Sequence, residues 1–364
     1  MVGARAWGGY TDTLMRIAIE AATLALASGG LARYTNELTL ALANCFPEDE
    51  FLLVADRAFP MPAGAPANLK RAGGPRNAME RRWWLWGLER ALSRSGAELI
   101  HGPDFAVPYL ARRPSVLTLH DLSPWMDPRW HFAAGRVARR APILMEMGIA
   151  TMVITPGEQV RKQALERFHL RPERVVVVPE AAAPWLRPVV GAPETPYFLY
   201  VGAIEPRKNL PALVEAWREV RKRRPVELWL AGQRRADGPR IDEEPGLRLL
   251  GEVPDEQLGG LYSGALAFVY PSLYEGFGLP VMEAMQCGAP VIASSAVAEA
   301  AGSAAVYAEG PMDLAEAMAR FASDAEWREE WRALSLARAK QFSWERTARL
   351  TREVYREACA RFDS

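Results

Sequence analysis

Residues 274–285 read YEGFGLPVMEAM: Glu275 and Glu283 enclose seven residues, with two glycines behind the first carboxylate and a proline before the second. Upstream lies ALAFVY, an apolar run of strand character that Pro271 and Ser272 close. Pro280 suits a first helical turn, where its missing N–H costs nothing, and Gly288 suits a helix stop. The stretch therefore predicts a strand, a glycine loop at its carboxyl end, and a short helix, VMEAMQCG. Such a loop offers free backbone N–H groups and the positive end of a helix dipole, which favours a phosphate, and glycines let a ligand approach the backbone. Glu283, expected in the first turn, would repel a phosphate and is better suited to a diol such as the ribose 2′ and 3′ hydroxyls. Glu275 could take sugar hydroxyls or stabilise positive charge at an anomeric carbon. Two solvated glutamates beside an ordinary turn form the plain alternative.

The second constellation is YFLYVGAIEPRKNL, residues 197–210. A buried strand ends at Gly202, and a short turn delivers Arg207 and Lys208 to the start of the helix NLPALVEAWREV. Two cations there oppose the helix dipole unless an anion arrives, and a diphosphate is such an anion. Arg grips phosphate in a bidentate fork and Lys adds a point charge. The pair could neutralise a leaving diphosphate without a metal, and the chain has no Asp-x-Asp pair to hold one.

Elsewhere, RIAIEA, EFLLVA, ELIHG, SVLTLH, MVITP and RVVVVP precede VELWLAG, LRLLGEV and APVIAS, all separated by amphipathic helical patterns. Continuous β-branched runs of this kind indicate parallel sheets covered on both faces. The expected fold is α/β, with two doubly wound Rossmann-like domains facing each other across a cleft. The chain's 364 residues exceed what one core ordinarily serves. LRPVVGAPETP, residues 186–196, is the natural linker, so the expected domains are 1–187 and 188–342. Residues 343–364 then form a terminal helix opened by Ser343, with an apolar stripe of Trp344, Leu350 and Val354. Residues 1–14 read as a loose extension.

Formal net charge is zero, which gives no sign of nucleic-acid binding, although the first 187 residues carry a small basic excess that the remainder balances. Cys45, Cys287 and Cys359 are odd in number and widely spaced, so neither a disulfide framework nor a zinc ribbon is indicated and a reduced, cytoplasmic setting fits. The stretch MRIAIEAATLALASGGLA looks like a signal peptide, but Glu20 interrupts its centre and MRIAIEA reads better as a first strand. RRWWLWGLER, residues 81–90, allows an interfacial membrane reading; a helix burying Trp83, Leu85 and Trp86 in the first core is preferred, and the basic stretch RWHFAAGRVARR is read likewise.

GAIEPRKNL, then PSLYEGFGLPVMEAM and CGAPVIAS, resembles the retaining glycosyltransferases of family 4, which have the GT-B fold. SGGLARYTNELTLALA, TLHDLSP and SWERTARLTREVYRE resemble that family's glycine loop, His-Asp segment and terminal helix, the last of which would cross back to pack on the first domain. The resemblance implies a metal-independent hexosyltransferase with no cofactor beyond its nucleotide-diphosphate sugar. It places Arg207 and Lys208 on the donor diphosphate, Glu283 on the ribose, and Val253 beside the base. Glu275 and the backbone of Gly276, Phe277, Gly278 and Leu279 would surround the donor sugar, with Gly202 beneath and Gly30 approaching from the opposite domain. His120, at the end of SVLTLH, would orient a sugar hydroxyl, and Asp121 would cap the next turn. His101, His131 and His169 read as structural.

Two departures stand out. TPGEQVR has Gly157 where the family has a capping serine, and EAAAP follows VVVVP where a glycine is common. The pattern looks most like mannosyltransferases of surface-polysaccharide assembly, which suggests GDP-mannose first and a UDP-sugar second. The expected partners are that donor and a glycan, lipid-linked or small-molecule acceptor, with peripheral membrane contact through the first domain open. A retaining glycosidase using Glu275 and Glu283 as acid and nucleophile, and a GT-B nucleotide-sugar epimerase or binder, are the rival readings.

Overall fold

The computed structural model describes residues 14–26, 29–110, 112–127, 130, 135–191 and 195–362. His131 and residues 1–13 of the expected extension lie outside these. In the first part of the chain, strands β1 (Arg16–Glu20), β2 (Glu50–Val54), β3 (Leu69–Gly73), β4 (Leu99–Gly102), β5 (Ser115–Thr118), β6 (Met152–Thr155) and β7 (Val175–Val177) form one sheet. Its order is β3-β2-β1-β4-β5-β6-β7, and every recorded pairing is parallel. Helices α1 (Gly30–Cys45), α2 (Leu88–Ser95), α3 (Ser123–Met126), α4 (Gly135–Glu146) and α5 (Glu158–Phe168) connect them.

The second sheet repeats the plan. Strands β8 (Tyr197–Val201), β9 (Glu227–Ala231), β10 (Leu247–Gly251), β11 (Ala267–Tyr270), β12 (Val291–Ala293) and β13 (Ala305–Tyr307) lie in the order β10-β9-β8-β11-β12-β13. Their helices are α6 (Leu210–Arg221), α7 (Asp255–Gly264), α8 (Leu279–Gln286), α9 (Ala298–Ala301), α10 (Pro311–Ser323) and α11 (Ala325–Ala339). Each sheet reverses direction once, between β1 and β4 and between β8 and β11. Ligands of open α/β sheets gather outside the carboxyl ends of the strands at that reversal. The two expected doubly wound units are both present. β3 and β13 escape an apolar-run reading because each is an edge strand with exposed positions.

Helix α12 (Trp344–Phe362) begins with the Ser343 hydroxyl accepting from Arg346 N at 3.2 Å. Trp344, Ala348, Val354, Tyr355 and Ala358 pack into the core formed by Ile17, Ile19, Phe51 and Val116, so the chain's last helix lies on its first sheet. Arg352 anchors it through a bidentate pair with Asp49, at 2.6 and 3.2 Å.

The WWLW segment corrects an expectation. Trp83 is buried, but Leu85 and Trp86 stand 46% and 44% exposed. Residues 83–87 form a wide π-type turn ahead of α2, which rotates the second and third apolar side chains out of the face that α2 continues.

Candidate functional site

The site is built from three strand exits, of β8, β11 and β5, that converge on the cleft with the start of α1. β8 ends at Gly202, whose φ of +149° favours glycine, and the chain enters a 3-10 turn, Pro206–Lys208, before α6. Arg207 and Lys208 thus precede the helix rather than open it, with Asn209 in the left-handed region between them and the helix. The counter-anion is internal. Lys208 donates to Glu275 Oε1 at 2.5 Å and to Tyr270 OH at 2.7 Å; Arg207 donates to Glu275 Oε2 and to the Tyr274 carbonyl, both at 3.0 Å. Arg207 Nε also lies 2.8 Å from Glu205 Oε1, and Arg235 pairs with the other Glu205 oxygen.

Burial by itself would raise the pKa of Glu275, but the Lys208 and Arg207 charges overcome it and hold it down at about 2. Burial also presses Lys208 below the usual lysine range, with Arg207 adding to the effect. For Arg207, Glu275 and Glu205 outweigh desolvation and raise it further. Glu275 is therefore an anion at any working pH and cannot lend a proton, which removes the general-acid role that a glycosidase would need from it.

β11 leads into the GFG loop. Gly278 has φ +108° and N-caps α8, and a Cβ there would meet Val297 at 2.8 Å. Phe277 is buried against the second core, edge-on to Phe342. A Cβ on Gly276 would stand 1.9 Å from the His120 carbonyl oxygen, so the loop lies against the β5 exit of the opposite sheet. Tyr274 crosses too, its hydroxyl accepting from Leu122 N at 2.9 Å and donating to Gln163 at 2.8 Å. Gly30 faces Leu279, 3.8 Å from its Cδ1 to the position of a Cβ. The structure thus brings Gly30, His120, Arg207, Lys208, Glu275 and the loop to one place.

Glu283 falls in the second turn of α8, not the first, and is 3% exposed. Its Oε2 accepts from Tyr262 OH at 3.0 Å, and its Oε1 pairs with Arg33, which reaches over from α1. Arg33 also donates to Asp255 at 2.6 Å and rests over the Trp185 ring, 5.4 Å from its centroid. Val253, two residues before Asp255, packs half-buried against the second core.

His120 has protein partners at both ring nitrogens: Glu180 at 3.0 Å from Nδ1 and the Pro103 carbonyl at 2.7 Å from Nε2. Two acceptors require a doubly protonated ring, and the upward shift of its pKa agrees, since Glu180 outweighs burial. Asp121 accepts from Ser123 N at 2.9 Å and caps its turn. His101 is wholly buried between Tyr355 and Thr118, with its pKa pressed by burial to about 3, and His169 closes α5 in the left-handed region.

Gly157 N-caps α5 without a side chain, and the cap arrives from the other half: Glu299 accepts from Glu158 N through one oxygen and from Gln159 N, at 3.1 Å, through the other. A Cβ on Gly157 would stand 2.5 Å from Glu299 Oε2. Sequence reasoning missed Arg33, Glu205, Tyr262, Tyr270 and Glu299. Only Glu205, two residues before Arg207, carried a local signal.

Two parallel-sheet units that meet at their carboxyl edges around a buried cluster of two cations and an anion define the GT-B class. Residues 28–184 match the family model described as Glycosyltransferase Family 4, and residues 195–324 that of Glycosyl transferases group 1. The O-antigen chain mannosyltransferase B of Escherichia coli is 36% identical over 287 residues, 71% of this chain and 74% of that protein. The MMP alpha-(1->4)-mannosyltransferase of Mycolicibacterium hassiacum is 32% identical over 241 residues, 62% of this chain and 56% of that one. Among solved structures, the sucrose-phosphate synthase of Thermosynechococcus elongatus superposes with a TM-score of 0.72 at 21% identity, covering 95% of this chain and 99% of that one. The chain belongs to glycosyltransferase family 4 and is a glycosyltransferase. No helix among the described residues is long and apolar enough to cross a membrane.

Proposed function

We propose that this glycosyltransferase moves a hexose from a nucleotide-diphosphate donor to a hydroxyl of a glycan or lipid-linked acceptor, with retention at the anomeric carbon and without a metal. The observation that carries the reading is the buried Arg207–Lys208–Glu275 cluster at the exits of β8 and β11. A donor diphosphate would take over the two cations, which leaves Glu275 and the Gly276–Leu279 backbone for the sugar. Glu283 would receive the ribose hydroxyls once Arg33 withdraws, and His120 would hold a sugar hydroxyl from the other side by exchanging its Pro103 carbonyl or Glu180 partner for it. As the sugar C–O bond breaks, the electron pair stays with the diphosphate, which Arg207 and Lys208 stabilise. The acceptor oxygen forms the new bond on the same face and its proton passes to the departing phosphate.

Relatives named as mannosyltransferases support GDP-mannose as the first donor to try. A UDP-sugar is second, since a structure of similar fold, Anabaena Alr3699/HepE at 18% identity and a TM-score of 0.70, was solved with UDP-glucose. The exposed Leu85 and Trp86, together with Arg81 and Arg82, support peripheral contact of the first half with an anionic membrane. The test is a thermal-shift panel of GDP-, UDP-, ADP- and dTDP-sugars without added metal, repeated on Arg207→Ala. Stabilisation by one nucleotide class, lost in the variant, is expected; no shift from any of them would overturn the donor assignment.

A further inference from the structure

A cavity lies away from the cluster above. It has a volume of about 660 Å³ and sits between the carboxyl ends of β2 and β3. Arg57, Arg71 and Arg81 line it with Asp56, Phe59 and the Gly73–Gly74 backbone. Asp56 is engaged by Arg57, at 2.7 and 3.2 Å, so two guanidinium charges face the cavity beyond that internal pair. Arg71 is fixed by two contacts, donating to the Phe59 carbonyl at 2.6 Å while its guanidinium rests 4.8 Å from the Phe59 ring centroid. Gly73 has φ +91°, and a Cβ on Gly74 would meet the Ala55 carbonyl at 2.7 Å, so this wall is bare backbone by necessity. Glu20, at the neighbouring end of β1, adds no negative charge at neutral pH, because burial raises its pKa to about 8.

Position gives the cavity a meaning. It opens on the same sheet edge as Gly30, on the side away from His120. β3 stands two strand spacings from β1 and four from β5, whose exit carries His120, roughly 10 and 19 Å, the reach of a few sugar units. Arg81 also adjoins the exposed Arg82, Leu85 and Trp86.

We infer that this cavity is an anion subsite that holds a phosphate ester carried by the acceptor, remote from the hydroxyl that reacts. Two forks of N–H donors on a glycine-lined wall match phosphate oxygens in geometry and charge. The inference rests on the glycosyltransferase reading for the word acceptor only, since the subsite itself is read by direct binding.

The experiment titrates inorganic pyrophosphate into the full chain by calorimetry, in an Arg207→Ala background so that the donor cluster does not contribute. Saturable binding that weakens about tenfold in Arg71→Ala and again in Arg81→Ala is expected, with Arg71→Lys intermediate. Both side chains are exposed, and unchanged thermal midpoints would certify the folds. A second arm measures flotation with phosphatidylglycerol and phosphatidylcholine vesicles. Vesicle binding that pyrophosphate displaces assigns the phosphate to a lipid headgroup; vesicle binding indifferent to pyrophosphate, or none, assigns it to a water-soluble ester. Absence of pyrophosphate binding, or binding indifferent to both arginines, overturns the subsite. Neither result touches the donor-site reading, which the nucleotide panel tests separately.

Discussion

Arg33 and Glu283, 250 positions apart, form an ion pair that spans the two halves of the molecule. Glu283 is the carboxylate proposed for the ribose, and on that proposal a donor displaces the guanidinium to reach it. Arg33→Ala is expected to bind nucleotide diphosphates severalfold more tightly, measured by calorimetry, because the internal competitor is gone. Weaker binding would instead make Arg33 a contact of the nucleotide. The same variant leaves a buried carboxylate with Tyr262 alone, so unfolding in urea should show a loss of about 1–3 kcal/mol.

Glu275 carries the steepest acid dependence. Its pKa in the folded chain lies near 2, below the ordinary 4.5. A depressed carboxylate contributes stability that is present above its unfolded pKa and lost as pH falls through the folded one. Stability should therefore decline between about pH 5 and pH 2, with on the order of 3 kcal/mol from this group. Glu275→Gln should flatten that slope in urea titrations, abolish transfer and largely keep nucleotide affinity; unchanged turnover would remove Glu275 from the chemistry.

His120 works in the opposite sense. Its pKa is raised, because Glu180 and the Pro103 carbonyl outweigh burial. The stability it contributes is fully present below its unfolded pKa, about 6.5, and is lost as pH rises through the higher folded value. Urea midpoints should fall on the alkaline side of neutrality, and His120→Asn should remove that limb.

Much of this was legible in the order of residues. Parallel strands are legible as apolar runs because both faces are covered, and the GFG loop with its proline specifies a strand-to-helix turn through local backbone chemistry alone. What stayed hidden depended on partners far along the chain. Arg207 and Lys208 suggested a waiting anion, and the anion proved to be Glu275, 68 and 67 positions away. Trp86 and Leu85 looked like core because composition does not report the π-type turn that rotates them outward. Gly157 looked like a lost cap because the carboxylate that replaces it stands 141 residues downstream of the helix N–H it accepts from.

Gly276 tests how closely the halves must approach. A methyl group there would overlap the His120 carbonyl, at 1.9 Å, and crowd Asp121 Cβ, at 2.9 Å. Neither neighbour is the end of a flexible chain, so the halves must separate. Gly276→Ala should lower turnover roughly 10²-fold by misplacing the reacting groups, with little change in thermal midpoint and a larger radius of gyration in solution scattering. Normal turnover would show that the chemistry tolerates a wider cleft.

Glu299 provides the last test, because it caps a helix that belongs to the other half. A cap contributes about 1 kcal/mol, and in this chain losing it loosens the junction as well as α5. Glu299→Ala should leave the α5 terminus bare, and adding Gly157→Ser should restore the local cap without restoring the bridge. Gly157→Ser alone should do the reverse of a repair, since its Cβ would stand 2.5 Å from Glu299 Oε2 and expel the carboxylate. The single serine variant and the double variant are therefore expected to share one proteolysis pattern and one radius of gyration, both more open than the parent. A serine variant as compact as the parent would mean that Glu299 does not hold the halves together.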